Sequence, residues 1–564
     1  MSALLRVSAF AVVFAACAPL TMPAADNLAA SCPTLTNSSF GRIEIGLPTE
    51  GAMFTSATLV TAAPAEKMAD GTTKPATPEY CRILGEIAPI DEKAPKILFQ
   101  INLPIAWNRK ALQYGGGGLN GVLITGLNPL RDAPPGTELP ITQGYLTFGT
   151  DSGHQASAHP PTELGAWALN DEALVNFAYA SYKKVRDVAS NTALRFYGRR
   201  PERMYFFGGS EGGREALMMA QRFPTDYDGV VSVVPVINWT GLQHAHLPGQ
   251  QRQAHDGWIP PAKIGIVGDA VVKACDALDG LADGVVNNYW ACAYRFNVRS
   301  LRCAHGKDTG NSCLSDSQID ALSALHTAYR FPFPLAHGVT TYPRWLWGAE
   351  NVQGGMQQWV TGQTAPSFPP KTGQSVHWTY GNNVVRYFFV RDAQFDPRLY
   401  KPAAFKERVA QISMLMDATN PDLGAFHERG GKIIIRENMG DYAQSPLAGA
   451  EYWQSVVTKM GAARVDQFMR LYVSPASNHG GGAWSLTDKT VVPTSIDLLA
   501  ALDAWVTRGR APNQILIQVR KSPVAPFETL ASRPMCPYPY YPHYVKGDAA
   551  LAASYECRFS QPGK

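Results

Sequence analysis

The chain has 564 residues, 45% of them hydrophobic and 17% charged, with 50 Gly, 42 Pro and 12 Trp. Such a composition excludes disorder, collagen and coiled coil, and it supplies enough apolar material for a sizeable core. The net charge of +4, from 50 Lys+Arg against 46 Asp+Glu, is spread without long basic runs, which excludes a nucleic-acid binder.

The N-terminus reads as an export leader within residues 1–25. One cation, Arg6, precedes a short apolar stretch from Val7 to Ala16. Two processing routes fit: ordinary cleavage nearby, for instance after Ala25, or lipidation of Cys17 in the lipobox-like Phe14-Ala15-Ala16-Cys17. Both export the chain, to the periplasm or outside the cell, the second as an outer-membrane lipoprotein. No later segment holds 18 uninterrupted apolar residues, so no transmembrane segment is expected.

Eight further cysteines, an even number in an exported chain, read as disulfides. Their clustering suggests sequential pairing: Cys32 with Cys81, Cys275 with Cys292, Cys303 with Cys313, and Cys536 with Cys557. A zinc site would call for a Cys-x-x-Cys pair, and the sequence has none.

Strand-like runs alternate with helical ones beyond the leader. Residues 96–103 (KILFQINL), 111–114 and 144–148 (GYLTF) predict strands, and 170–185 an amphipathic helix. Residues 204–207 (MYFF), a glycine turn and the helical run 214–222 follow, then 229–236 (GVVSVVPV), apolar enough for a strand buried on both faces. Strand, helix, strand in that order predicts a parallel α/β sheet. From 240 to 428 the text turns loop-rich and carries six of the twelve Trp. Strands resume at 432–436 (KIIIR) and 467–473, with helices near 452–459 and 497–507. The chain therefore reads as an α/β core, 26–239 and 429–564, interrupted by an aromatic-rich lid, 240–428.

Gly208-Gly209-Ser210-Glu211-Gly212 fits the nucleophile elbow Gly-x-Ser-x-Gly, with a strand before it and a helix after it. A serine needs a base, and the base an orienting carboxylate, in the chain order Ser, acid, His. His479, in Asn-His-Gly-Gly-Gly after the strand ending at Val473, supplies the base, and Asp441, five residues beyond KIIIR, the acid. Glu437 is the rival acid. His154, His244, His246 and His377 read as structural or pocket residues. Two N–H donors must face the oxyanion: the amide of Glu211, and one from the glycine run 115–118 that follows an early strand. A flexible loop is the other reading of that run.

A second signal lies within the lid. Asp276, Asp279 and Asp283, punctuated by glycines, suit a hard cation with the carbonyls of Leu281 and Val285 completing the shell. A solvated acidic loop is the alternative, and an EF-hand is excluded because the bidentate Glu at the twelfth loop position is missing.

These residues resemble the tannase and feruloyl esterase family, including its terephthalate half-ester hydrolase branch. The resemblance is most specific over 198–229, 275–286 (CDALDGLADGVV) and 387–397 (YFFVRDAQFDP). It implies an α/β-hydrolase core with a large inserted lid, and hydrolysis through an acyl-enzyme of esters of aromatic acids, galloyl, feruloyl or terephthaloyl. It makes Ser210 the nucleophile, His479 the base, Asp441 the acid, and Gly117 and Glu211 the oxyanion donors. It also implies a structural calcium on Asp276, Asp279, Leu281, Asp283 and Val285. The family usually joins a Cys before the serine to one after the histidine; here both positions are glycine, Gly209 and Gly480. Arg386 is a candidate clamp for a substrate carboxylate, with a structural ion pair as its other reading. An acyltransferase with the same triad, or a non-catalytic binding protein on a hydrolase scaffold, are the competing functions.

Overall fold

A computed structural model describes residues 25–560. The leader and Cys17 lie outside the described residues. Twelve strands form one sheet: β1 Ser39–Phe40, β2 Gly51–Val60, β3 Tyr80–Ala88, β4 Ile97–Pro104, β5 Lys110–Tyr114, β6 Leu146–Thr150, β7 Arg203–Gly209, β8 Gly229–Val233, β9 Lys432–Asn438, β10 Met469–Ser474, β11 Leu516–Lys521 and β12 Thr529–Pro537. Their spatial order is β1-β2-β3-β4-β6-β5-β7-β8-β9-β10-β12-β11. The six central strands, β6 to β10 in that order, run parallel. Antiparallel strands flank them on both sides.

The apolar runs of the central strands feed two cores because successive side chains leave opposite faces of a strand. Phe206, Val230, Ile433 and Ile435 enter the core under the helices Ser181–Tyr197 and Glu211–Arg222. Tyr205, Phe207, Val231, Val233 and Ile434 enter the core under the helix Leu498–Arg508. Each face therefore takes half of a run such as KIIIR, and covering both faces is what a parallel sheet requires.

Several observed boundaries differ from those read in the sequence. The helix expected over 170–185 runs from Asp171 to Tyr197, through one π turn at Asn176–Ala180, and stops at left-handed Gly198. The strand expected over 229–236 ends at Val233, because Val234 takes a positive φ of 42° and Pro235 has no amide to give the ladder. The flanking strands β2 and β3 and the C-terminal β11 and β12 are not among the strands read from the sequence.

Between β8 and β9 the chain adds no strand to this sheet. It forms short helices and a two-stranded ribbon, Tyr329–Arg330 with Thr341–Tyr342, around an apolar cluster that includes Trp345, Trp347, Trp378 and Phe388 and that it shares with Trp167, Leu174 and Phe177. Four disulfides are formed, Cys32–Cys81, Cys275–Cys292, Cys303–Cys313 and Cys536–Cys557, the pairs that proximity suggested. Among the described residues no helix is long and apolar enough to cross a membrane.

Cys32–Cys81 spans 49 residues and fastens the N-terminal segment to β3. Closing a loop of that length is worth about 4 kcal/mol through the unfolded state. The double substitution Cys32→Ala/Cys81→Ala is expected to lower the melting temperature measurably; an unchanged melt would show that packing alone holds that segment.

Candidate active site

Parallel strands all end on the same sheet edge, and that edge gathers the functional side chains. Ser210 follows β7, Asp441 follows β9 and His479 follows β10, while the glycine run 115–118 follows β5. Ser210 sits at φ 60°, ψ −124°, a strained backbone that a strand-to-helix turn imposes. The turn closes only because two neighbours lack side chains. A Cβ on Gly208 would lie 2.0 Å from the Gly212 carbonyl, and one on Gly212 2.7 Å from the Gly116 carbonyl.

The three side chains form a continuous line. His479 Nε2 lies 2.8 Å from Ser210 Oγ, and His479 Nδ1 lies 2.7 Å from Asp441 Oδ2. Asp441 Oδ1 accepts the amides of Ala443, at 2.7 Å, and Gln444, at 3.3 Å, so the carboxylate is fixed and Oδ2 is left to face the imidazole. With Nδ1–H donating to Asp441, Nε2 is free to accept the serine proton. Glu437, the rival acid, points elsewhere: its Oε2 accepts from the Gln444 side chain at 2.9 Å. Burial, and then the nearby Asp441 charge, push its pKa well above the usual carboxylate range.

The serine and the imidazole lie on the wall of a cavity of about 220 Å³. Leu119, Val236, Trp239 and Leu242 meet Trp359 and Tyr380 across it. Trp359 also packs edge-on against His479, with ring centroids 5.1 Å apart. Of these lining residues only Trp359 belongs to the lid tryptophans that the sequence marks; the others are not singled out. Apolar residues in loops and short helices carry no periodic signal that separates a cavity wall from a core.

The glycine run approaches the elbow backbone to backbone. The amide of Glu211 opens a helix, so it has no carbonyl one turn back to bond to. The Glu211 carboxylate turns away into a buried ion pair with Arg214, whose guanidinium also bonds the Ala178, Phe177 and Met416 carbonyls. Burial raises the Glu211 pKa to about 7 against the pull of Arg214. Gly117 is expected from the resemblance to be an oxyanion donor. Its amide donates to Asn120 Oδ1 at 2.6 Å, and Gly118 is the member of the run that lines the cavity.

The other sequence candidates separate cleanly. His154 bonds the Leu119 carbonyl and stacks on Trp167; His244 bonds Thr240 and Tyr400; His246 stacks on His377. Burial lowers the pKa of all four, to about 3 for His154 and about 4 for His244 and His377, so they are neutral packing groups. Arg386 is neither a clamp nor half of an ion pair. Its guanidinium bonds the Ala393 and Thr162 carbonyls and the Asn382 side chain, away from the cavity. At Gly209, where the family usually carries a cysteine, the Arg131 side chain lies close: a Cβ there would meet its Cδ at 2.5 Å. The His479 turn is held by hydrogen bonds instead, Asn438 Nδ2 to the Asn478 carbonyl at 2.8 Å and Asn478 Nδ2 to the Gln353 carbonyl at 2.7 Å.

On the acidic loop, the three carboxylates have the donor chemistry of a calcium site but are engaged with protein groups. Asp276 accepts the amides of Asp283 and Gly284, Asp279 those of Leu281 and Asn287, and Asp283 pairs with Arg533 at 2.5 Å. Among the described residues no three His, Cys, Asp or Glu side chains gather as a metal would require. Leu281 and Val285, expected as carbonyl ligands, flank Asp283 in the same loop. Burial, with the Asp283 charge adding to it, raises the Asp279 pKa to about 7, and the Asp283 charge is met by Arg533.

Six parallel strands, helices on both faces and a Ser–His–Asp line at their C-terminal edge define an α/β-hydrolase. The chain belongs to the tannase and feruloyl esterase family, whose profile matches residues 81–558. It is 38% identical to an uncharacterised esterase of Agrobacterium fabrum, over 95% of this chain and 94% of that one. It is 32% identical to the mono(2-hydroxyethyl) terephthalate hydrolase of Piscinibacter sakaiensis, over 86% and 85% of the two chains. Among solved structures, feruloyl esterase B of Aspergillus oryzae superposes with a TM-score of 0.74 at 22% identity, over 94% of this chain and all of that one. The tannin acyl hydrolase of Aspergillus niger does so with 0.66 at 20% identity, over 95% and 94%.

Two substitutions separate the acids. Asp441→Asn is expected to lower kcat about 10³- to 10⁴-fold by upsetting the imidazole tautomer, whereas Glu437→Gln leaves it within about tenfold. The same Gln variant tests the raised Glu437 pKa. An acid whose pKa rises on folding loses stability as pH climbs above its ordinary value near 4.5. The melting temperature of Glu437→Gln relative to the unsubstituted protein should therefore increase from pH 5 to pH 8, and a pH-independent difference would refute the neutral Glu437.

Proposed function

We propose that the protein is an exported serine esterase that hydrolyses esters of aromatic carboxylic acids through an acyl-enzyme. The observation that carries this reading is the unbroken Ser210–His479–Asp441 line, with the serine and the imidazole on the wall of an aromatic cavity. The Ser210 hydroxyl attacks the ester carbonyl while His479 Nε2 takes its proton, and Asp441 stabilises the imidazolium. The oxyanion is received by the amide of Glu211 and by one from the 115–118 run; Gly117 serves there only by releasing or sharing its bond to Asn120. The alcohol leaves with the proton from His479. Water then attacks the acyl-enzyme along the same proton path and releases the acid.

The aromatic acyl class is supported by Trp239, Trp359 and Tyr380 on the cavity wall, and by relatives named for feruloyl and terephthalate esters. Export is supported by the four disulfides. Hydrolysis of methyl gallate, methyl ferulate and mono(2-hydroxyethyl) terephthalate by the unsubstituted protein and Ser210→Ala tests the reading. At least one ester should turn over, with kcat falling by about 10⁵-fold or more in the variant. Activity that survives in Ser210→Ala identifies another nucleophile.

We also propose, from the resemblance and the three carboxylates that the loop carries, that calcium takes the 276–285 segment as a structural ion with no part in the chemistry. Binding there requires the three carboxylates to turn from their present amide partners toward a common centre. Calcium added to chelator-stripped protein should raise the melting temperature; no shift at millimolar calcium removes the ion from this loop.

A further inference from the structure

Directly behind the elbow, one buried carboxylate ties three segments together. Glu215 stands one turn into the helix Glu211–Arg222 and is fully buried. Its Oε2 accepts the Gly116 amide at 2.9 Å. Its Oε1 accepts Asn120 Nδ2 at 2.7 Å and the Tyr182 hydroxyl at 2.5 Å. Asn120 also bonds the Tyr182 hydroxyl, at 2.6 Å, and its Oδ1 takes the Gly117 amide at 2.6 Å. The neighbouring guanidinium, Arg214, is committed to Glu211.

Every partner of Glu215 is therefore a donor, so both oxygens must accept. Through Asn120 the same carboxylate governs two successive amides of the glycine run. The fit leaves no slack: a Cβ on Gly115 would lie 2.7 Å from the Gly212 Cα and 3.0 Å from Glu215 Oε2.

We propose that Glu215 is a positioning residue, which through Gly116 and the Asn120–Gly117 bond sets the glycine run at its distance from Ser210 and so aligns the oxyanion donors. The inference rests on the esterase reading, which gives that run its role. Replacing the carboxylate by an amide puts an NH₂ against groups that are themselves donors, and the run loses an anchor while the serine, histidine and cavity wall keep theirs.

The test pairs Glu215→Gln with a reciprocal exchange. Glu215→Gln should lower kcat about 10- to 100-fold, with KM within about threefold. It should also quicken amide hydrogen exchange in the peptide covering 115–120. Asn120→Asp alone sets two carboxylates together and should lower kcat further. In the double variant Asn120→Asp/Glu215→Gln, donor and acceptor change places across the contact, and the carboxylate introduced at position 120 still accepts the Gly117 amide. It should recover kcat to within about fivefold and restore slow exchange. General loss of packing would not be repaired by that exchange. Should Glu215→Gln fail to fold, Tyr182→Phe removes a single donor and should still quicken exchange over 115–120. Exchange and kcat both unmoved in Glu215→Gln, or no recovery in the double variant, overturns the proposal. If the unsubstituted protein hydrolyses no ester, the esterase reading fails, and the exchange data alone still decide whether Glu215 holds the run.

Discussion

The backbone contact between the glycine run and the first turn after Ser210 is the constraint on which the site depends. Ser210 occupies a strained conformation, with a positive φ of 60°, that costs on the order of 1–3 kcal/mol and persists only where its surroundings leave no alternative. Gly208 and Gly212 remove the side chains that would prop the turn open, and the run then lies against Gly212. Bulk at either position would displace the serine and the amides beside it together. The proposed nucleophile and the donors proposed for the oxyanion are thus products of one close approach.

Electrostatics around that contact are arranged by burial. Desolvation keeps His154, His244, His246 and His377 neutral, while His479 meets both a carboxylate and a hydroxyl. Two buried glutamates of the nucleophile helix do different work. Glu211 pairs with Arg214, whose other N–H groups are taken by the Ala178 and Phe177 carbonyls of the π turn and by the Met416 carbonyl. Glu215 receives three donors from the glycine loop and the neighbouring helix. Unpaired, either charge would be expensive in this interior.

The inserted segment completes the cavity. Trp359 and Tyr380 come from deep within the segment between β8 and β9, Val236 and Trp239 from its first residues, and Leu119 from the loop after β5, so no single part encloses the serine. The insertion shares an apolar cluster with the segment around Trp167 and Phe177 and holds two of the four disulfides, Cys275–Cys292 and Cys303–Cys313. With glycine at 209 and 480, the histidine turn depends on the Asn438–Asn478–Gln353 hydrogen bonds and on the Trp359 contact.

Local signals made much of this legible without coordinates. The β-branched runs at 229–233 and 432–436, the glycines around Ser210 and the chain order Ser210, Asp441, His479 reflect requirements of neighbouring residues, and the parallel sheet and the triad follow from them. Cysteine order led to the disulfide pairs because each bridge joins two cysteines that follow one another in the chain. What sequence could not decide involves groups far apart in the chain, or directions that packing sets. The Gly117 amide is taken by Asn120, Arg386 is satisfied by carbonyls, Glu437 faces Gln444, and Glu215 meets Gly116 across 99 positions. A hydrogen-bond partner is a matter of direction and distance after packing, and only the tertiary structure supplies both. The sequence by itself determined the fold and the three residues of the line; the folded chain decided which amides, carboxylates and cavity walls surround them.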